Sequence, residues 1–213
     1  MEKVARARAA GVVELVATGL DLARETVAAL SACLSEAERQ RAARFRAERD
    51  RRRFIVARAR LRELLAERLE LAPQSVELAY GRHGKPALDG RSARSGWRFN
   101  VSHCDELAVY GFARGCEVGV DVEAVRPLAE ADTIAAHFFS RGENEAYRAL
   151  APRDRTLGFL RCWTRKEALV KALGEGLSMP LAEVDASLAP AGWRLHSFSP
   201  LPGFIAAVAT HHG

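Results

Sequence analysis

Two carboxylates stand two residues apart in Val118-Gly119-Val120-Asp121-Val122-Glu123, a segment whose valines and glycine favour an extended strand. A side-chain period of two sends Asp121 and Glu123 to one face. Acids held that close repel each other unless a cation neutralises them, and hard oxygen donors suit magnesium. Alternating acids on an exposed edge strand are also often only solvated charge, so the pair alone leaves both readings open. A second set lies in residues 159–177, which read as a helix ended at Gly174, with Trp163, Glu167 and Lys171 at successive i, i+4 steps along one stripe. The same stripe describes a surface Glu–Lys pair worth roughly 0.3–0.5 kcal/mol beside a tryptophan packed in the core.

Three further groups could meet an anion. Asn100-Val101-Ser102-His103 ends a strand at a polar corner, where side chains can converge on a ligand, although a histidine there is commonly structural. Gly84-Lys85-Pro86 could set a lysine beside a phosphate or serve as turn chemistry. Arg51, Arg52, Arg53, Arg58, Arg60 and Arg62 could bind phosphates or form a solvated helix face.

The elements that must position these groups follow from the pattern. Residues 12–18 read as an opening strand. Ser35 and Glu38 make a capping-box pattern ahead of a helix over 37–45, and 49–69 shows the apolar spacing of an amphipathic helix, with Phe54, Ala57, Leu61, Leu64, Leu65 and Leu69 on one side. Pro73 ends it, 76–80 suggests a strand, and 81–86 is a loop. Strands follow over 97–101, 107–113 and 118–122. The second half repeats the plan: Ser140-x-x-Glu143 echoes Ser35-x-x-Glu38, a long helix follows, Gly192-Trp193-Arg194-Leu195 echoes Gly96-Trp97-Arg98-Phe99, and 204–210 answers 107–113. A duplicated α+β unit, two similar halves about a pseudo-twofold with a cleft between them, is expected, although capping boxes are common enough to coincide by chance. The halves are set at residues 1–117 and 118–213.

Composition sets the limits. Of 213 residues, 48% are hydrophobic and 28% charged, which excludes a disordered chain. With 32 Lys and Arg against 27 Asp and Glu, the formal charge of +5 favours anionic partners without choosing among them. Cys33, Cys104, Cys116 and Cys162 show no metal-ligand spacing. Lys3, Arg6 and Arg8 precede an apolar stretch that Glu14 interrupts, with no cleavage site after it, and no segment approaches the roughly 18 apolar residues of a membrane span, so a cytoplasmic protein is expected.

Taken in order, Gly84-Lys85-Pro86, Phe99-Asn100-Val101-Ser102-His103, Val118-Gly119-Val120-Asp121-Val122-Glu123 and Trp163-Thr164-Arg165-Lys166-Glu167-Ala168-Leu169-Val170-Lys171 resemble the motifs of the surfactin-type, or group II, 4'-phosphopantetheinyl transferases. Leu34-Ser35 and residues 45–62, with Asp50 and Arg53, look like that family's N-terminal helices. The resemblance implies two α/β halves with coenzyme A between them and transfer of its 4'-phosphopantetheine to a serine of an acyl or peptidyl carrier protein. It implies magnesium held by Asp121, Glu123 and Glu167 on the pyrophosphate, Lys171 on that pyrophosphate, and Arg53, Lys85, Ser102 and His103 on the phosphates, the ribose phosphate included. Asp121, Glu167 and Lys171 are then the catalytic set, with Glu167 the first candidate for taking the serine proton. Two halves in one chain could complete the cleft without a second subunit, so a monomer is expected, and neither nucleic acid nor a membrane is expected as a partner. Two departures stand out. Glu48 occupies a position that is basic in some members, which leaves phosphate contact to Arg46 or Arg49, and Cys104 follows His103 where small polar residues are frequent. Two other readings remain at this stage: a nucleotide-pyrophosphate hydrolase using the same acids, and a nucleic-acid binder using the arginines from Arg39 to Arg62.

Overall fold

The computed structural model describes residues 4–9, 13–81, 84–174 and 180–211. Val4–Ala9 (β1) and Val13–Gly19 (β2) lead into helices Arg24–Ser31 (α1), Glu36–Ala43 (α2) and Glu48–Leu69 (α3). A short hairpin, Leu78–Tyr80 (β3) and Pro86–Leu88 (β4), precedes Trp97–Cys104 (β5) and Leu107–Arg114 (β6). Past a left-handed turn at Gly115 come Glu117–Ala124 (β7), helices Ala131–Phe138 (α4), Arg141–Ala149 (α5) and Pro152–Leu173 (α6), and strands Trp193–Phe198 (β8) and Phe204–His211 (β9). The first half folds as an antiparallel sheet in the order β1-β2-β6-β5, the second as β7-β9-β8.

The duplication expected from the sequence extends to the interior. Without β1, the order β2-β6-β5 is that of β7-β9-β8, and α3 and α6 each run for 22 residues. Both capping boxes form: Ser35 and Ser140 each accept from the backbone three residues on, while Glu38 and Glu143 reach back to the cap. Those two glutamates are buried, and each meets a buried cation that is the fifteenth residue of the long helix of its half. Arg62 Nε lies 2.6 Å from Glu38, and Lys166 Nζ lies 2.7 Å from Glu143. Arg62 also donates to the carbonyls of Pro73 and Val76, and Lys166 to those of Leu181 and Val184. Each pair therefore ties the helix following the capping box to the chain that leaves it. A buried charge without such partners is expensive, which explains why both halves keep acid and base together.

Several boundaries differ from the sequence pattern, each for a local reason. Strand β1 lies ahead of the expected opening strand, where the alanines of Val4–Ala9 carry little strand propensity. The strand expected over 76–80 is confined to Leu78–Tyr80, because Pro73–Ser75 forms a single 3-10 turn and the Val76 carbonyl is turned to Arg62. Helix α6 begins at Pro152, a favoured first-turn residue whose fixed φ suits a helix start, and ends as expected at Gly174 with φ 77°. Val12 and residues 175–177 of the expected elements lie outside the described residues. No helix among the described residues is long and apolar enough to cross a membrane.

Val13, Leu15 and Val109 of the first sheet meet Val118, Val120 and Val208 of the second in one buried cluster, so the two halves share an apolar interface. Only part of the arginine-rich α3 is a solvated face, Arg49 and Arg51 being exposed. Arg62 and Arg68 turn inward to Glu38 and Glu14, and Arg53 pairs with Asp21.

Helix α6 lies directly on β7, and Gly119 permits it. A Cβ at this position would fall 2.0 Å from the Ala168 carbonyl oxygen and 2.4 Å from the Ala172 nitrogen, both backbone atoms that no rotamer change can move. Gly119→Ala is therefore expected to lower unfolding free energy by about 1–3 kcal/mol or more, the usual range for overpacking. Chemical denaturation measures this, and wild-type stability in the variant would contradict the close approach.

Candidate functional site

Strand β5 distributes its motif over two faces. Asn100, Ser102 and Cys104 address β7, while Val101 and His103 line a cavity against α3. Asn100 Oδ1 accepts from the Val120 backbone N–H at 2.9 Å, a buried stitch between the two sheets. Ser102 Oγ donates to Asp121 Oδ1 at 2.9 Å, and the Cys104 thiol donates to Glu123 Oε2 at 3.4 Å. These contacts put Asp121 and Glu123 on one face, as their spacing requires. Cys104 is thus a partner of an acid. Burial first, and then nearby Glu123, push its thiol up to about 11, which leaves it a poor nucleophile at neutral pH.

Helix α6 brings the second set. Trp163 packs among aromatic rings, 6.3 Å from Phe159 and 5.8 Å from Phe138, and anchors the stripe at one end. At the other end Lys171 Nζ reaches Asp121 Oδ1 at 2.6 Å and Ser102 Oγ at 3.0 Å. Glu167, one turn before Lys171, lies close enough to Asp121 and Glu123 for their charges to raise its pKa. Burial is the larger cause, and Lys171 opposes both. Glu123 is raised for the same reasons, by burial first and then by Asp121. The stripe is therefore a half-buried feature of the junction between β7 and α6, and its lysine pairs with an acid of the strand.

The donor set suits a hard divalent cation. Asp121 Oδ2 is buried with no hydrogen-bond partner, and two further carboxylates are disfavoured in their charged forms by burial and mutual repulsion, an environment that added positive charge relieves. Among the described residues, no group of three or more His, Cys, Asp or Glu converges into a metal-holding cluster. The nearest positive charge on Asp121 is instead the ammonium of Lys171.

The remaining expected ligands fall into two groups. His103 is solvent-accessible at a cavity of about 190 Å³ whose walls include Arg41, Phe54, Arg58, Gly84 and Val101. The protein packed around it, and then Lys171, Arg58 and Arg41, push its imidazole below the ordinary histidine range. Lys85 and Arg53 are otherwise engaged. Lys85 donates to the Lys171 carbonyl, one of the last carbonyls of α6 that lack an intrahelical partner, and burial lowers its pKa. Arg53 is held by Asp21 through contacts of 2.8 and 2.6 Å. Glu48 opens α3 and pairs with Arg51 at 3.8 Å, while Arg49 turns to Asp50. Arg58, which the sequence left open between phosphate contact and a solvated helix face, and Arg41, which it did not single out, face the cavity of His103. The available signal was the i, i+4 step from Phe54 to Arg58.

Replacing Lys171 by Met strands the buried Asp121 carboxylate, and a loss of about 1–3 kcal/mol in unfolding free energy is expected. Lys171→Met combined with Asp121→Asn should recover most of that loss. Additive losses in this double-mutant cycle would contradict the pairing.

A family model described as the 4'-phosphopantetheinyl transferase superfamily matches residues 117–206, and one described as 4'-phosphopantetheinyl transferase, N-terminal, matches residues 22–112. The chain is 36% identical over 199 residues to the 4'-phosphopantetheinyl transferase HetI of Nostoc sp., covering 89% of this chain and 84% of that protein. It is 30% identical over 170 residues to the 4'-phosphopantetheinyl transferase psf-1 of Bacillus pumilus, covering 80% and 70%. It is also 37% identical over 127 residues to the 4'-phosphopantetheinyl transferase AcpT of Salmonella typhimurium, covering 60% of this chain and 62% of that protein.

Proposed function

The chain belongs to the 4'-phosphopantetheinyl transferase superfamily, and on that premise we propose that it is a surfactin-type member whose Asp121, Glu123 and Glu167 hold magnesium. It transfers the 4'-phosphopantetheine moiety of coenzyme A to a serine hydroxyl of a carrier protein, releasing adenosine 3',5'-bisphosphate. Residues 1–117 and 118–213 are the two halves, with coenzyme A lying between them. The observation that carries the site assignment is the meeting of Asp121, Ser102 and Lys171 beside Glu123 and Glu167, where β7, β5 and α6 join.

The residues divide the work. Lys171 and Ser102 bind pyrophosphate oxygens, and His103 lies toward a phosphate of the nucleotide, with Lys85 and Arg53 as flanking cations. These are charge-assisted contacts that position the co-substrate without chemistry of their own. When bound, magnesium supplies Lewis-acid stabilisation of the charge on the pyrophosphate. Glu167, held beside Asp121 and Glu123 one turn before Lys171, takes the serine proton. The serine oxygen bonds to the phosphorus nearer the pantetheine, the bond from that phosphorus to the bridging oxygen breaks, and the electron pair leaves on the bisphosphate. Lys171 offsets the charge that develops there.

Incubating the chain with an apo carrier protein, coenzyme A and magnesium should add the mass of one phosphopantetheine to the carrier. Chelation of the metal should abolish the adduct. Asp121→Ala should lose transfer while staying folded, and Glu167→Gln should lose at least about 100-fold in rate while partly retaining coenzyme A binding, as for a proton acceptor. An adduct formed at near-normal rate by folded Asp121→Ala would overturn the assignment.

His103 also generates a pH dependence. Its pKa lies below the ordinary value in the free protein, so at pH 7 the ring is mainly neutral. A nearby phosphate raises that pKa, and binding takes up a proton. The affinity gained from protonation is fully present below the free-state pKa and is lost as pH rises through the bound-state value. Calorimetry at pH 7 in buffers of different ionisation heat should show this uptake in wild type and less of it in His103→Gln; equal uptake in both would exclude the role.

A further inference from the structure

Glu123 is an acid held by one hydrogen bond. It is half-buried, and among the described residues its carboxylate accepts from a single donor, the Cys104 thiol at 3.4 Å. The two cations near enough to act on it are committed elsewhere: Lys171 lies 2.6 Å from Asp121, and Arg126 lies 2.7 Å from Asp105. A glutamate turns about three side-chain bonds, so a carboxylate without partners is spread over several rotamers. The sulfur is not. It stands one torsion from the backbone, and Cys104 packs against the apolar cluster that the two halves share, which makes its S–H a fixed though weak donor.

The same contact occurs one step earlier along both strands. Ser102 Oγ donates to Asp121 Oδ1 at 2.9 Å, and Cys104 and Glu123 each stand two residues further on. Strands β5 and β7 belong to different sheets and share no backbone ladder. Side chains therefore fix the acids against β5, together with the bond from the Val120 backbone to Asn100. That an ion belongs beside them has separate support, because Asp121 is only 4% exposed and its Oδ2 has no hydrogen-bond partner. A group that hydrogen-bonds a metal ligand from behind sets the ligand's orientation. We propose that Cys104 is the positioning residue for Glu123, holding its carboxylate ready for the metal as Ser102 holds that of Asp121. The assignment rests on the magnesium reading above. It gives a role to a thiol that is neither a nucleophile nor part of a disulfide.

Manganese(II) reports metal binding without turnover. Its affinity is measured by electron paramagnetic resonance, with coenzyme A present and no carrier protein, for wild type, Cys104→Val, Cys104→Ser, Glu123→Gln and the double variant Cys104→Val with Glu123→Gln. Cys104→Val keeps the apolar packing and removes the donor. It should weaken manganese binding about 10-fold, the lower end of what loss of such a partner costs, and raise the magnesium needed for half-maximal transfer by a similar factor. Cys104→Ser restores a donor and should recover most of the loss. In the Glu123→Gln background the valine replacement should change affinity by less than about twofold, since the group that the thiol orients is gone. An equal loss in both backgrounds would mark a general disturbance of packing and overturn the proposal. Wild-type affinity in Cys104→Val, or a serine variant as weak as the valine one, would overturn it too. Cys104→Ala makes the same comparison if the valine variant does not fold. If wild type binds no manganese, the magnesium reading falls and this assignment with it, whereas wild-type binding that Cys104→Val leaves intact sinks the assignment alone.

Discussion

Helix α6 can rest on β7 only where the strand has no side chain, and the backbone contact at Gly119 is the constraint on which the site depends. The contact sets the height of the helix over the strand, and the strand carries Asp121 and Glu123 two residues further on. With the helix axis that close, Glu167 and Lys171 can reach acids two and four residues beyond the glycine. A side chain at position 119 would lift the helix, and Lys171 would no longer meet Asp121 at 2.6 Å. Packing and chemistry therefore share one requirement, the absence of a single methyl group.

The duplicated framework supplies the same scaffold twice, yet the two copies serve different ends. Strand register and the correspondence of β6 with β9 place Asp121 where the first half has Val16, and Glu123 where it has Thr18. The first half thus has no acid pair on its equivalent strand, and Glu63, the counterpart of Glu167 along the long helix, is paired with Arg60. It has instead the cavity of Arg41, Arg58 and His103. The buried acid–base pairs, Glu38 with Arg62 and Glu143 with Lys166, are common to both halves because both must anchor a long helix to the chain that follows it. What is shared is support, and what differs is the chemistry placed on it.

Much of this was legible in the residues. The capping boxes, both long helices, the main strands and the repeat follow from local signals, since caps and apolar periodicity act within a few residues. The shared face of Asp121 and Glu123 follows from a period of two alone. The partners were not legible. No local rule says that Lys85 would cap α6, that Arg53 would turn to Asp21, or that Arg58 would lie inside while other arginines of α3 stay in solvent. A charged residue on a helix is neutral as a signal until the neighbouring element is known, so the arginines that line the cavity of His103 emerged only once α2, β3 and β5 were packed around α3. Strand β1 was missed for the opposite reason, because its alanines carry almost no signal of their own.

The electrostatics of the cleft follow from that packing. A buried carboxylate is stable only beside positive charge, and Lys171 provides it for Asp121 from within the chain, leaving Oδ2 unpartnered. On the other side of β5, Arg58 presents surplus positive charge that no acid accepts fully. One strand thus separates an acid-rich compartment from a base-rich one, with Ser102 facing the first and His103 the second. Strand alternation alone therefore gives neighbouring residues of one motif opposite electrostatic surroundings, because the elements packed on the two faces of β5 carry opposite charge.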